Sequence, residues 1–399
     1  MQKQRQHQNA GQSNLQAGSF FAQCAKGLEE LAAQELKALG ALRVKPQFMG
    51  CLFDTDKAGL YRINYASRLA SRILMPIAKF DCWNDNDLYR HIHKLEWPDM
   101  LRIGKTFAIT ALGKHPTIKH TKFAALRVKD AIVDKFMSEM GSRPSINTLD
   151  PDVHLVLHLQ PKFAILYWDT SGSPLHRRGY RQSTVDAPLQ ETLAAAMIQL
   201  SQWDKKTPLI DPFCGSGTLL AEAQMVAANI PAGYLRKKWG FTTLPDYDNR
   251  VWKKVQTEMT EKIKPVPEGL ISGSDSDKSA VKATRNNLNL LPGGDAIGVQ
   301  RSDYQEYEDL SGRLIVANPP HGIRMKPGEM DDWTKKLGDF LKTRCAGSTA
   351  ILYFGDRQLI KSVGLKPTFK RPLPSGGLDG RVVRYDLFSG RMQDRKKDL

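Results

Sequence analysis

Apolar positions in FFAQCAKGLEELAAQELKALGA open as a short run and then recur at helical spacing. This predicts a strand followed by an amphipathic helix over roughly 27–39, with Gly40 as its stop. A longer helical pattern over 121–139 is expected to turn Leu126, Ala131, Ile132 and Phe136 inward, and Lys122, Arg127 and Lys129 outward. Short strands and helices continue to about residue 170, the mixture of an α+β module. Residues 171–189 are polar, basic and punctuated by Gly and Pro, and read as a linker. Beyond it the pattern alternates: a helix at 190–203, a strand at Pro208–Pro212 and a helix at 217–229. Strand-like runs follow at 270–274, 297–301, 313–317 and 349–354. Such alternation predicts an α/β fold with a parallel, doubly wound sheet. The final FKRPLPSGGLDGRVVRYDLF reads instead as two strands around a Gly-rich turn, an antiparallel hairpin at one edge. No internal repeat is visible, and residues 1–17 form a polar stretch expected to be disordered.

A length of 399 residues suggests two or three domains. Lys and Arg exceed Asp and Glu by 58 to 42, a formal charge of +16. That excess suits a polyanionic partner, although a generally basic soluble protein would show it too. The five cysteines (24, 51, 82, 214 and 345) include no C-x-x-C pair, which argues against a zinc site or a disulfide framework and fits a reducing cytoplasm. No run approaches the length of a membrane span, and the N-terminus lacks the apolar core of a secretion signal. His91, His93, His115 and His120 show no metal-ligand spacing and are expected at the surface, or as minor nucleic-acid contacts.

Four segments carry candidate chemistry. In Leu209-Ile-Asp-Pro-Phe-Cys-Gly-Ser-Gly-Thr218, a strand ends in Asp211 and small residues lead into a helix. Glycines allow close backbone approach, and a helix start offers free N–H groups. The spacing is neither G-x-G-x-x-G nor a P-loop, and an acid before the turn suits a cationic ligand end better than phosphate. An ordinary strand-to-helix turn would look similar. Asp275, in Gly273-Ser-Asp-Ser-Asp277, is placed to accept ribose hydroxyls, with Asp277 as a helix cap; a simple cap at Asp275 is the alternative. Asp303, after the third strand, is a candidate acceptor for an adenine amino group. Asn318-Pro-Pro-His321 follows the fourth strand. There, an amide oxygen and a backbone carbonyl can accept both hydrogens of an exocyclic amine, while the His321 ring stacks on an extruded base.

DPFCGSGTLLAEA and NPPHGIRM resemble motifs I and IV of class I S-adenosylmethionine-dependent methyltransferases acting on base amines. HRRGYRQSTVDAPLQETLAAAMI, the WGF at 239–241 and LDGRVVRYDL are similar to one branch, the THUMP-containing RNA guanine-N2 methyltransferases. FFAQCAKGLEELAAQELKALGA and NTLDPDVHLVLHLQPKFAILYWDTSG resemble that branch's ferredoxin-like and THUMP modules. The resemblance covers about residues 19–390, and within the branch it points to the bacterial enzymes of 23S rRNA.

It implies a mostly parallel seven-stranded sheet over residues 190–399, a ferredoxin-like part over 18–60 and a THUMP domain over 61–170. It implies S-adenosylmethionine held by Asp211, Cys214, Gly215, Ser216, Gly217, Thr218, Asp275 and Asp303, and no metal; Glu191 and Thr192 are expected to line the pocket, or equally to be first-turn capping residues. Asn318, Pro319, Pro320 and His321 would form the catalytic turn. Arg177, Arg178 and Arg181 are expected to close over the cofactor or to contact RNA backbone, and Lys122, Arg127 and Lys129 to touch phosphate, although a solvated basic linker or helix face would read alike. The family usually carries Tyr where this chain has His321, and imidazole can titrate near neutrality. The chain stops after one methyltransferase, so the second activity fused in some relatives is expected to be absent, and a monomer is expected. Transfer RNA as the substrate, adenine-N6 methylation of DNA, and a non-catalytic ribosome-assembly factor are the rival expectations.

Overall fold

The computed structural model describes residues 18–184, 188–320 and 327–388. The polar stretch 1–17 and His321 lie outside the described residues. The chain forms two compact units. The first comprises residues 18–24, Ala33–Leu175 and Arg236–Gln256; the second comprises Ala25–Ala32, His176–Leu235 and residues 257–388.

In chain order the N-terminal elements are β1 (Ser19–Gln23), α1 (Glu29–Ala38), β2 (Leu42–Gln47), β3 (Gly50–Asp54), α2 (Lys57–Ala66), β4 (Arg72–Asp81), α3 (Asp85–His93) and α4 (Trp97–Met100). Then come β5 (Thr106–Gly113), α5 (Thr121–Met140), β6 (Ser145–Ile146), β7 (Val153–Leu159) and β8 (Phe163–Asp169). Among the described residues the strands form one sheet in the order β2-β3-β1-β4-β8-β7-β5-β6. Its pairs are antiparallel except β5 with β6 and with β7. This is the α+β layout the mixed pattern called for.

Helix α5 corrects one inward assignment. Its buried residues are Ala124, Val128, Ala131, Ile132 and Phe136, whereas Leu126 is 56% exposed. At 3.6 residues per turn, Leu126 lies about 200° around the helix from Ala124, so it cannot share that face. His115 is also corrected, from surface to buried. His91 stacks on Phe80 and His93 on Tyr89, at ring distances of 4.8 and 5.7 Å.

Segment 236–256, read from sequence as catalytic-domain chain, packs within the first unit. Trp239, Phe241 and Trp252 build an aromatic cluster with Tyr61 and Tyr65. Gly240 passes so close to the Asp169 carbonyl and Gly172 that a Cβ would overlap them, and Phe241 N–H donates to Thr170 O (2.7 Å). The WGF run is therefore a packing device.

The second unit holds α6 (Glu191–Leu200), β9 (Leu209–Asp211), α7 (Thr218–Ala227), the end of α8 (Asn249–Thr260), β10 (Ile271–Asp275), α9 (Lys278–Leu288) and β11 (Gly298–Arg301). It continues with β12 (Leu314–Ala317), α10 (Pro327–Arg344), β13 (Thr349–Phe354), α11 (Leu359–Ser362), β14 (Phe369–Pro372) and β15 (Arg381–Asp386). The described strands form a sheet in the order β11-β10-β9-β12-β13-β15-β14. The first five are parallel, and β15 runs against both neighbours. Only β15 is therefore reversed, and the expected hairpin is β14 and β15. The core includes Ile210, Ile315, Ala317, Leu337, Ala350, Leu352, Val383 and Tyr385. Helices α6 and α7 are buried along nearly their whole length, which explains why their sequences are mostly apolar, with Glu191, Glu222 and Gln224 as buried polar exceptions.

Candidate active site

Strand order reverses at β9: β10 and β11 lie on one side, β12 and β13 on the other. Open parallel sheets bind ligands outside the strand carboxyl ends at such a switch point. Parallel pairing brings Asp303, Asp275, Asp211 and Asn318 to that one edge, following neighbouring strands β11, β10, β9 and β12 in that order. At about 4.8 Å per strand the row spans roughly 15 Å.

The Gly-rich turn between β9 and α7 is moulded from two sides, by the end of β10 and by α9. Gly215 N–H donates to Asp275 Oδ2 (3.0 Å), and Cys214 N–H donates to Ser274 O (2.9 Å). From α9, Thr284 Oγ1 donates to Gly215 O (2.8 Å), and Asn287 Nδ2 donates to Ser216 O (2.9 Å). Gly217 has φ 81°, and a Cβ there would lie 2.8 Å from Thr284 Cγ2, so glycine is required twice over. Asp277 Oδ1 accepts from Ser279 N–H (2.7 Å) and caps α9 as expected, while Asp275 Oδ1 accepts from Asp277 N–H (3.0 Å). Asp303 is already a cap: Oδ1 accepts from Gln305 N–H (2.9 Å), in a reciprocal box with Glu306.

Asp211 is buried, and burial pushes its carboxyl up to about 8. The nearby Asp275 charge adds to the rise, and the Phe213 N–H donating to Oδ1 (3.0 Å) opposes it. Ser274 Oγ is buried with no hydrogen-bond partner among the described residues. Burial raises the Cys214 thiol far above its ordinary range, so it is inert. Asn318 is half-buried, Pro319 buried and Pro320 exposed. Beside the row, Phe213 meets Tyr304 and Trp333 at 5.0 and 5.6 Å. Among the described residues no cluster of three or more His, Cys, Asp or Glu is suited to a metal ion.

The basic strap 176–184 clamps onto this machinery. Arg178 is fully buried, its Nε 3.1 Å from Glu222 Oε1, which also accepts from the Tyr180 hydroxyl (3.1 Å). Its expected phosphate contact gives way to an internal ion pair, because its side chain is closed to solvent. Arg181 donates to Leu189 O (2.7 Å) and Thr218 Oγ1 (2.8 Å) and faces Glu191 Oε1 at 3.4 Å, joining the starts of α6 and α7. Burial raises the Glu191 carboxyl, and the Arg181 charge opposes that. Thr192 is buried beside it in α6, and Arg177 is exposed.

In the first unit, Arg127 is committed to Asp85 (3.3 Å), Asn86 (3.2 Å) and the Tyr89 ring, and Lys129 pairs with Asp130. Lys122 is exposed.

Sequence reasoning missed Asn287. Its Oδ1 accepts from Gln182 and Ser183 N–H (both 3.0 Å), and its Nδ2 donates to Ser183 O (2.7 Å) as well as Ser216 O. All four of its hydrogen-bonding positions are filled while it is wholly buried. The available signal was a polar Thr284/Asn287 pair, three residues apart, on the apolar face of α9.

A doubly wound sheet with one reversed strand, and a Gly-rich turn bonded to the acid ending the next strand, define a class I methyltransferase. Residues 178–384 match the family model described as an RMKL-like methyltransferase domain. Residues 19–74 match an RlmL ferredoxin-like domain and 83–169 a THUMP domain. The chain belongs to this family of THUMP-bearing, RMKL-like methyltransferases. It is 37% identical over 371 residues to slr0064 of Synechocystis, provisionally named an RNA methyltransferase, covering 92% of this chain and 97% of that protein. It is also 37% identical over 386 residues to the ribosomal RNA large subunit methyltransferase K/L of Syntrophotalea carbinolica, covering 93% of this chain. The chain spans only 54% of that longer relative. The solved structure of SMU.472, provisionally described as a methyltransferase and complexed with SAH, superposes with TM-score 0.80 at 26% identity. That match covers 94% of this chain and 98% of SMU.472.

Proposed function

We propose that this chain transfers a methyl group from S-adenosylmethionine to the exocyclic N2 of a guanine in large-subunit ribosomal RNA. The observation that carries the reading is the row Asp303–Asp275–Asp211–Asn318 along one sheet edge, with the Gly-rich turn bonded to Asp275. The donor set fits the cofactor chemically: acids suit a sulfonium, an ammonium and ribose hydroxyls, where a phosphate site would offer lysine. RNA is the substrate class supported by the THUMP match and by the names of the relatives, and 23S rRNA by the K/L enzymes.

S-adenosylmethionine supplies an electrophilic methyl group. The turn Cys214–Thr218 and Asp211 would hold its methionine end, Asp275 its ribose hydroxyls and Asp303 its adenine, with Glu191 and Thr192 alongside. The Asn318 side-chain oxygen and the Pro319 carbonyl would accept both hydrogens of the guanine amine and aim its lone pair. His321, beyond the described residues, would stack on the base. Alignment of this kind accounts for several kcal/mol of a barrier. No strong base is required, because the methylated amine is acidic enough to lose its proton to water.

The test is methyl transfer from labelled S-adenosylmethionine to separated ribosomal and transfer RNAs from a strain lacking the activity, followed by nucleoside analysis. Labelled N2-methylguanosine in large-subunit RNA is expected. Label only in tRNA would replace the substrate, and label in another nucleoside would replace the chemistry.

A further inference from the structure

Trp83 is 56% exposed, although an indole is among the most apolar surfaces a protein can bury. Its backbone is nonetheless held on both sides. Trp83 N–H donates to Asp87 Oδ2 (3.2 Å), and Trp83 O accepts from Thr117 Oγ1 (2.6 Å). The preceding residue, Cys82, donates its N–H to Lys162 O (3.0 Å). Its carbonyl lies 2.9 Å from His115 Nε2.

The buried His115 also fixes the loop between β5 and α5. Its Nδ1 accepts from Thr117 N–H (3.3 Å) and Ile118 N–H (3.2 Å), which assigns the ring proton to Nε2 and directs it at Cys82 O. With His115 and Ile118 buried, the loop turns Lys114, Lys119 and His120 to solvent, followed at the start of α5 by Lys122 and Phe123, the latter 45% exposed. Phe123 stands one turn before Arg127, which is bonded to Asp85 and Asn86, the residues that start α3 just after Trp83. Two exposed aromatic rings therefore flank one basic loop whose backbone is held by hydrogen bonds.

Along the loop and the start of α5 the charge has one sign, while Asp81, Asp85 and Asp87 lie on the Trp83 side. Residues 113–129 carry five basic and no acidic side chains. The nearest acids of α3 are already engaged, Asp85 with Arg127 and Asp87 with Arg90. Among the described residues, none of Lys114, Lys119 or Lys122 forms an ion pair. An exposed ring on a pinned backbone, beside lysines without ion pairs, is an arrangement that takes an unpaired base on the ring and the backbone phosphates on the ammonium groups. A duplex would not present its stacked base faces to that indole.

We infer that Trp83, with Lys114, Lys119, Lys122 and Phe123, forms a docking site for a single-stranded RNA segment, one unpaired base stacking on the indole. This rests on the reading of the chain as an RNA methyltransferase and adds the RNA feature it grips.

The probe is a fluorescein-labelled oligoadenylate 12-mer, compared with an RNA duplex of equal length, titrated with the full chain by anisotropy at several salt concentrations. Trp83→Ala should weaken single-strand binding roughly tenfold with duplex binding little changed, and Trp83→Phe should restore most of the loss. Lys114→Gln/Lys119→Gln/Lys122→Gln should reduce the salt slope by about two. Melting temperatures of all variants, and a Lys366→Gln control on the second unit, separate loss of contact from loss of fold. Unchanged single-strand affinity in folded Trp83→Ala overturns the inference and leaves the exposed ring to a protein partner. Methyl transfer is assayed in parallel. Transfer with Trp83-independent binding sinks this site alone, and Trp83-dependent binding without transfer to any RNA sinks the methylation reading alone.

Discussion

Asp275 and Gly215 are sixty residues apart, yet the carboxylate at the end of β10 accepts the N–H of the Gly-rich turn after β9 at 3.0 Å. The parallel register aligns Gly273 with Asp211, so Asp275 projects beyond the end of β9 to where the turn begins. One side chain therefore shapes the turn with Oδ2 while its other oxygen accepts from Asp277 N–H.

Replacing Asp275 by Ala removes both the shaping bond and the proposed ribose acceptor. Hydrogen bonds to charged groups contribute about 1.5–3 kcal/mol, so cofactor affinity should fall roughly tenfold or more. Calorimetric titration with S-adenosylhomocysteine measures it, and an unchanged dissociation constant removes Asp275 from the site.

The Asp211 carboxyl, pushed up to about 8 by burial, makes ligand-free stability depend on pH. The unfolded group titrates near 3.9, so between about 4 and 8 the folded state holds the extra proton. Its contribution is full below the unfolded pKa and is lost as pH rises through 8. Asp211→Asn cannot lose that proton. Its melting temperature should therefore gain on the wild type from pH 5 to about pH 8 and hold that lead above it. A constant difference across that range would show that Asp211 titrates normally.

Arg178→Ala leaves Glu222 buried beside Tyr180 without its guanidinium. Breaking a buried pair from one side costs about 3–5 kcal/mol. Chemical denaturation should show a loss of that order. RNA affinity of the folded fraction should hold; a stable variant with weakened RNA binding would instead put Arg178 on the RNA surface.

Asn318→Ala should abolish methyl transfer while S-adenosylhomocysteine binds nearly as in the wild type, because the amide is assigned to the acceptor amine. Single-turnover transfer and calorimetry on the same preparation check the two halves. Full activity in that variant would falsify the catalytic turn.

Much of the second unit was legible from its strand runs. Each expected strand from 208–212 to 349–354 has its counterpart in β9 to β13, and the last twenty residues of the pattern form the β14–β15 hairpin. Asp277 was legible as a cap because capping depends on residues two positions away. No described helix is long and apolar enough to cross a bilayer.

Local periodicity and short motifs determined the elements, the parallel sheet and the positions of Asp211, Asp275 and Asn318 at strand ends, since a strand's carboxyl end is a property of its own segment. Tertiary structure alone decided the fate of the charged and polar side chains. Arg178 pairs with a glutamate 44 residues away, Arg181 joins two helix starts, and Asn287 binds the strap and the turn together. It also decided that 236–256 packs with the first unit, and that Trp83 stays exposed while His115 is buried. The physical reason is shared: burial of a polar group depends on whether a distant partner satisfies it, and that partner is named only by the fold.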